Sequence, residues 1–151
     1  MSAATAGFQE VATGLRLRFY TVGEDERVML LLHDVGECSP VLSGLAVRLA
    51  SHGYKVIMLD LRGHGDSAPS AEGQYSAASM AADVESFVTE RDLYTRPLAV
   101  VGVGLGAAVG LAFASAQPQL VRHHHPVTSP HLTPHHPNAH THGTLNAECR
   151  G

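Results

Sequence analysis

The sequence predicts an α/β domain: a mostly parallel sheet with flanking helices over residues 1–122, followed by a tail rich in His and Pro over residues 123–151. Three observations carry this. Val28–Leu32, Tyr54–Leu59 and Leu98–Val101 are short, nearly continuous apolar runs, the pattern of strands covered on both faces. Helical apolar stripes separate and follow them. The regular alternation of strand and helix indicates parallel pairing through right-handed crossovers.

Each element has a local reason. Phe8–Val11 reads as a short strand closed by a turn at Thr13-Gly14. Leu15–Val22 alternates apolar and polar residues, as a half-buried strand should. Glu24–Arg27 is a polar turn into the run Val28–Leu32. Ser39-Pro40 marks a helix start, because proline suits the first helical position. Leu42, Leu45, Ala46 and Leu49 continue it as a stripe, and Gly53 ends it. After the strand Tyr54–Leu59, a second stripe holds Ala77, Met80, Ala81, Val84, Phe87 and Val88. Leu98–Val101 then runs through a tight glycine turn into a helix, Leu105–Ala116. That helix is rich in Ala and Gly, so it can approach the sheet closely, and Pro118 closes it.

With 151 residues, 44% of them hydrophobic, one domain with a real core is possible. A formal charge of −4 offers no basic footprint for nucleic acid. The two cysteines, Cys38 and Cys149, make no secreted-type disulfide framework, so a reducing, cytoplasmic setting is expected. No signal peptide or membrane span is visible, and no membrane partner is expected. Residues 123–151 hold eight of the 11 histidines and four of the 8 prolines. Closely spaced prolines oppose a long helix or central strand. Little apolar surface remains to offset ordering, so this tail is expected to be disordered.

Three motifs stand at the C-terminal ends of the buried strands, where open α/β sheets place their sites. They are His33-Asp34-Val35-Gly36, the loop Asp60–Ser67 with Gly63, His64 and Gly65, and Gly102-Val103-Gly104-Leu105-Gly106. The last has the strand–turn–helix context of a nucleophile elbow, Gly-x-Ser-x-Gly. The nucleophile position holds Gly104, which has no side chain. The other motif residues have plain structural roles available. His33 packs at its loop base, His64 buttresses a turn, and Asp60 and Asp66 serve as loop hydrogen-bonders. Cys38 reads as a small residue near a helix start. The tail histidines lack the fixed geometry that a metal site or a catalytic base requires, so no metal and no cofactor is expected.

In order and spacing these motifs resemble the N-terminal half of an α/β-hydrolase, over about residues 8–122. The Asp60–Ser67 loop looks closest to epoxide hydrolases and related esterases. His33–Gly36 and the elbow resemble the N-myc downstream-regulated family, which has this fold, is regarded as non-catalytic, and has glycine at the nucleophile position. The resemblance implies that Val35 and Leu105 supply the backbone N–H groups of an oxyanion hole. It also implies an acid and a histidine later in the chain. After Asp92 the only acid is Glu148, and the tail begins where the next strand should. The expectation is a truncated α/β-hydrolase fold, catalytically inactive. Its alternatives are a scaffold or partner-binding protein on this fold, and a fragment of an active ester or epoxide hydrolase. With no strand beyond it, Leu98–Val101 would leave an open apolar edge that invites self-association, a partner or a chaperone.

Overall fold

The computed structural model describes residues 4–127. They form the strands β1 (Thr5–Glu10), β2 (Arg16–Val22), β3 (Val28–Leu32), β4 (Lys55–Leu59), β5 (Leu98–Val103) and β6 (Val121–Val127). The helices are α1 (Ser43–Ala50), α2 (Ala77–Glu90) and α3 (Leu105–Ala116). The strands pair into one 6-stranded sheet of order β1-β2-β4-β3-β5-β6. β1 and β2 are antiparallel to their neighbours, and the β4-β3-β5-β6 block is parallel.

The apolar runs bury both faces, as their composition predicts. On β3, Leu30 and Leu32 join one core cluster, while Met29 and Leu31 join the other. On β4, Ile57 and Leu59 share the first face and Val56 and Met58 the second. The first cluster holds the buried stripe of α2, with Met80, Val84 and Phe87, together with Val109 and Phe113 of α3. The second packs Ala46 of α1. Phe87 and Phe113 are fully buried, each contributing about 1.5–3 kcal/mol through removal from water.

Helix boundaries follow local chemistry. Ser76 accepts a hydrogen bond from the Ser79 amide at 3.1 Å and caps α2. The helix expected from Ser39 divides into a 3-10 turn, Ser39–Leu42, with Pro40 in its first positions, and then α1. Proline permits that start but has no N–H of its own to donate.

One expectation is overturned. Residues 123–127 are not irregular: Val121–Val127 pairs in parallel with β5, from Leu98↔Val121 to Val103↔Val127. The open edge expected at β5 is therefore covered, and β5 itself extends to Val103. Proline content misled here because a single proline, Pro126, is tolerable on an edge strand. β6 is that edge, and most of its residues are exposed. Leu120 and Val121 add apolar contact with the first core cluster. His124 turns toward α3 opposite Gly110, where an added methyl would lie 2.8 Å from its ring Nε2. That Nε2 is buried without a hydrogen-bond partner among the described residues. Burial holds the His124 pKa below the usual histidine value. The rest of the His/Pro-rich segment, residues 128–151, lies outside the described residues. Among the described residues no helix is long and apolar enough to cross a membrane.

Native-state hydrogen exchange tests the β5–β6 ladder. Alternate amides of a strand point to opposite neighbours, so slow exchange is expected at every amide from Ala99 to Gly102. An alternation of slow and fast amides along β5 would show that the β6 side is open.

Candidate functional site

The elbow is where β3, β5 and α3 converge. Gly104 follows β5 and adopts φ +51°, ψ −110°. L side chains rarely tolerate this region, and glycine holds it without strain. Gly102 and Gly106 are needed for a different reason, close backbone approach. A Cβ on Gly106 would run into the carbonyls of Leu32 and His33, and one on Gly102 into the Gly106 carbonyl. The Gly106 amide donates to the His33 carbonyl at 3.1 Å, tying the first turn of α3 to the end of β3.

Asp34 completes that junction. It is 7% exposed, and its Oδ1 accepts from the Val35 amide at 2.7 Å and the Leu105 amide at 2.8 Å. Val35 and Leu105 are the two backbone donors to which the family resemblance gives the oxyanion role. Their N–H groups converge on one oxygen, and that oxygen belongs to the chain itself. The carboxylate also stands at the positive end of the α3 dipole, a favourable placement worth about 0.3–1 kcal/mol, more when partly buried. A Cβ on Gly104 would run into the Asp34 carboxylate. Gly36, at φ +75°, closes the turn, in which the Glu37 amide donates to the Asp34 carbonyl at 3.2 Å.

His33 is fully buried. Its Nε2 lies 3.0 Å from the Leu61 amide, which can only donate. Nε2 is therefore the acceptor, and Nδ1–H donates to the Asp34 carbonyl at 2.8 Å. This assigns a neutral ring with both nitrogens occupied. Burial depresses its pKa, against smaller opposing effects of the Asp34 carbonyl and the Asp60 charge. Its ring centre is 5.2 Å from that of His64.

The Asp60–Ser67 loop is built by the same kind of bond. Asp60 Oδ1 accepts from the Ser39 amide at 2.6 Å and Oδ2 from the Asp66 amide at 3.1 Å. Gly65 leaves room for that carboxylate, since a Cβ there would run into it. Ser67 Oγ donates to the Asp60 carbonyl at 2.6 Å and accepts from the Arg18 amide at 2.9 Å. Gly63 turns the loop at φ +73°, and His64 Nδ1 lies 2.9 Å from the Arg62 carbonyl.

Sequence reasoning missed the pair that anchors this loop to α2. Arg62 Nε and Nη2 donate to the two Asp83 oxygens at 2.6 Å each. Arg62 also reaches the carbonyls of Gln74 and Ser79, and Thr13 donates to Asp83. The hydrogen bonds to Asp83 raise the Arg62 pKa further. Removing one partner of such a buried pair costs about 3–5 kcal/mol, because the other is left charged and unmatched. The readable signal was an aspartate inside the apolar stripe Met80-Ala81-Asp83-Val84. Cys38 is buried where the chain enters the 3-10 turn at Ser39. A cavity of about 380 Å³ lined by Arg27, Val28, Tyr54, Arg96 and Ala99 opens at the N-terminal ends of β3 and β5, the end of the sheet opposite the elbow.

The comparisons agree with this fold. A family model described as serine aminopeptidase, S33, matches residues 23–148. An uncharacterized protein of Mycobacterium bovis is 35% identical over 108 residues, which are 72% of this chain and 30% of that protein. A thioesterase domain from the curacin biosynthetic pathway superposes with a TM-score of 0.75 at 29% identity, over 83% of this chain and 46% of that one. An epoxide hydrolase from Vigna radiata superposes with a TM-score of 0.76 over 90% of this chain and 43% of its own. At 24% identity it shows likeness of fold alone. The chain thus spans 30% of the bacterial relative's length and less than half of either solved structure.

His33 makes the site pH-sensitive. Its pKa is depressed in the folded state, so the unfolded chain binds the proton more readily. The stabilisation is present above the ordinary histidine value and is lost as pH falls through it toward the folded value. Thermal melts between about pH 8 and about pH 5 should show falling stability. The fall should be shallower in His33→Asn, which leaves the parallel contribution of His124 in place. An unchanged slope in that variant would remove His33 as the cause.

Proposed function

The chain belongs to the serine aminopeptidase S33 family of α/β hydrolases, and from that premise we propose that it is a non-catalytic member as it stands. One observation carries the reading: the position from which such a fold attacks its substrate is Gly104, folded against the Asp34 carboxylate. The donors that would stabilise a developing oxyanion are bonded to that carboxylate instead. A tetrahedral intermediate needs both an attacking atom and a free place for its negative oxygen. His33, the histidine next to the elbow, is not placed to supply a base, because both its ring nitrogens are engaged in holding the loop.

On this reading the domain serves as a scaffold or partner-binding unit, with the exposed outer edge of β6 as the place for self-association or for a partner. A second reading takes the chain as a piece of an active ester hydrolase. The 29% identity with the thioesterase domain favours ester chemistry over epoxide opening. That reading still meets the same obstacle at Gly104.

Assays with p-nitrophenyl acetate and styrene oxide test the proposal. The expected result is no turnover above a heat-denatured control. Gly104→Ser alone should not reach the rates of a complete triad, since the oxyanion hole and binding alone give about 10³–10⁴-fold over water. Turnover in the wild-type chain that disappears in Gly104→Ala would defeat the proposal.

A further inference from the structure

We infer that Asp34 is a built-in plug: its carboxylate fills the cradle formed by the Val35 and Leu105 amides, and so closes the elbow from within. The inference rests on reading those two amides as the elbow's donor pair. It goes beyond inactivity, because it says what occupies the cradle and what would compete for it.

Four observations meet at this point. One donor is the next residue in the chain and the other lies 71 residues from Asp34, yet both end on the single atom Asp34 Oδ1. The carboxylate is 7% exposed, so bulk water does not screen these bonds. Hydrogen bonds to an ionised carboxylate are stronger than neutral ones. Gly104, at the N-cap of the 12-residue α3, has no side chain with which to cap it. Asp34 supplies that cap from the loop after β3. The fourth observation is steric: a Cβ at Gly104 would run into the carboxylate. The plug and a nucleophile side chain therefore exclude one another. Glycine at the elbow is what lets Asp34 enter, and Asp34 in turn fills the space of a nucleophile side chain and occupies the amides that a substrate oxygen would use.

The chemistry of the competitor follows from that of the plug. A cradle that holds a carboxylate oxygen on two N–H groups will hold another small carboxylate once its own is removed. In the wild-type chain an external carboxylate must displace a group tethered at the site. The effective concentration of such a group is high, so millimolar acetate should not compete.

Acetate is the probe. Asp34→Ala is titrated with sodium acetate against sodium chloride at matched ionic strength, and the Val35 and Leu105 amide resonances are followed. The two amides should shift together and saturably with acetate in Asp34→Ala, and stay in place with chloride. In the wild-type chain neither salt should move them. An equal acetate response in the wild type would overturn the inference. So would a folded Asp34→Ala whose two amides ignore acetate. If that variant does not fold, the wild-type chain decides through scalar coupling across the hydrogen bond from the Leu105 amide nitrogen to the Asp34 side-chain carboxyl carbon. Coupling supports the plug, and its absence overturns it. Ester turnover by the wild-type chain would defeat the inactive reading without removing this coupling, so the two failures are separable.

Discussion

The first turn of α3 is held by the loop that follows β3. The Leu105 amide bonds the Asp34 carboxylate, and the Gly106 amide bonds the His33 carbonyl. Helix N-termini leave donors that must find partners, and here both partners come from the loop that follows β3 rather than from the helix's own cap. The arrangement sets the rest of the elbow. Gly102 and Gly106 are glycine so that β5, α3 and β3 can close to backbone contact. Gly104 is glycine both for its backbone angles and for the carboxylate beside it. His33 is buried and neutral because its two nitrogens brace the same loop from below.

The remaining motif is tied in by similar means. Asp60 reaches the start of the 3-10 turn at Ser39, and Arg62 reaches α2 through Asp83. Charged and polar residues in these loops, which in a sequence invite a catalytic reading, are here spent on buried backbone and ion-pair contacts. That is the ordinary requirement that buried polar groups find partners. It accounts for the residues of all three motifs by structural contacts around a turn centred on Gly104.

Much of this was legible in the sequence, for physical reasons. Continuous apolar runs such as Val28–Leu32 can satisfy only a two-faced sheet environment, and period-3.6 stripes such as Met80–Val88 only a helix against it. The elbow was legible because its glycine spacing reflects close packing. β6 was not legible. Its histidines and Pro126 read as low-complexity sequence, and an exposed edge strand needs little apolar content once a partner strand offers its hydrogen bonds. The Asp34 contact was also hidden. It depends on a side chain meeting an amide 71 residues away, which no local periodicity encodes. The Arg62–Asp83 pair left a visible trace, an acid within an apolar stripe, but its partner could be named only from the fold.

Asp34 and Gly104 share one space at the elbow, so substitutions at the two positions should be coupled. A double-mutant cycle by chemical denaturation reads this directly, using Gly104→Ala, Asp34→Gly and the combined variant. Gly104→Ala should cost less stability when the carboxylate is already gone, with a coupling of about 0.5–3 kcal/mol. Costs that add to within about 0.3–0.5 kcal/mol would contradict it, since they would mean that the elbow glycine answers to its backbone angles alone.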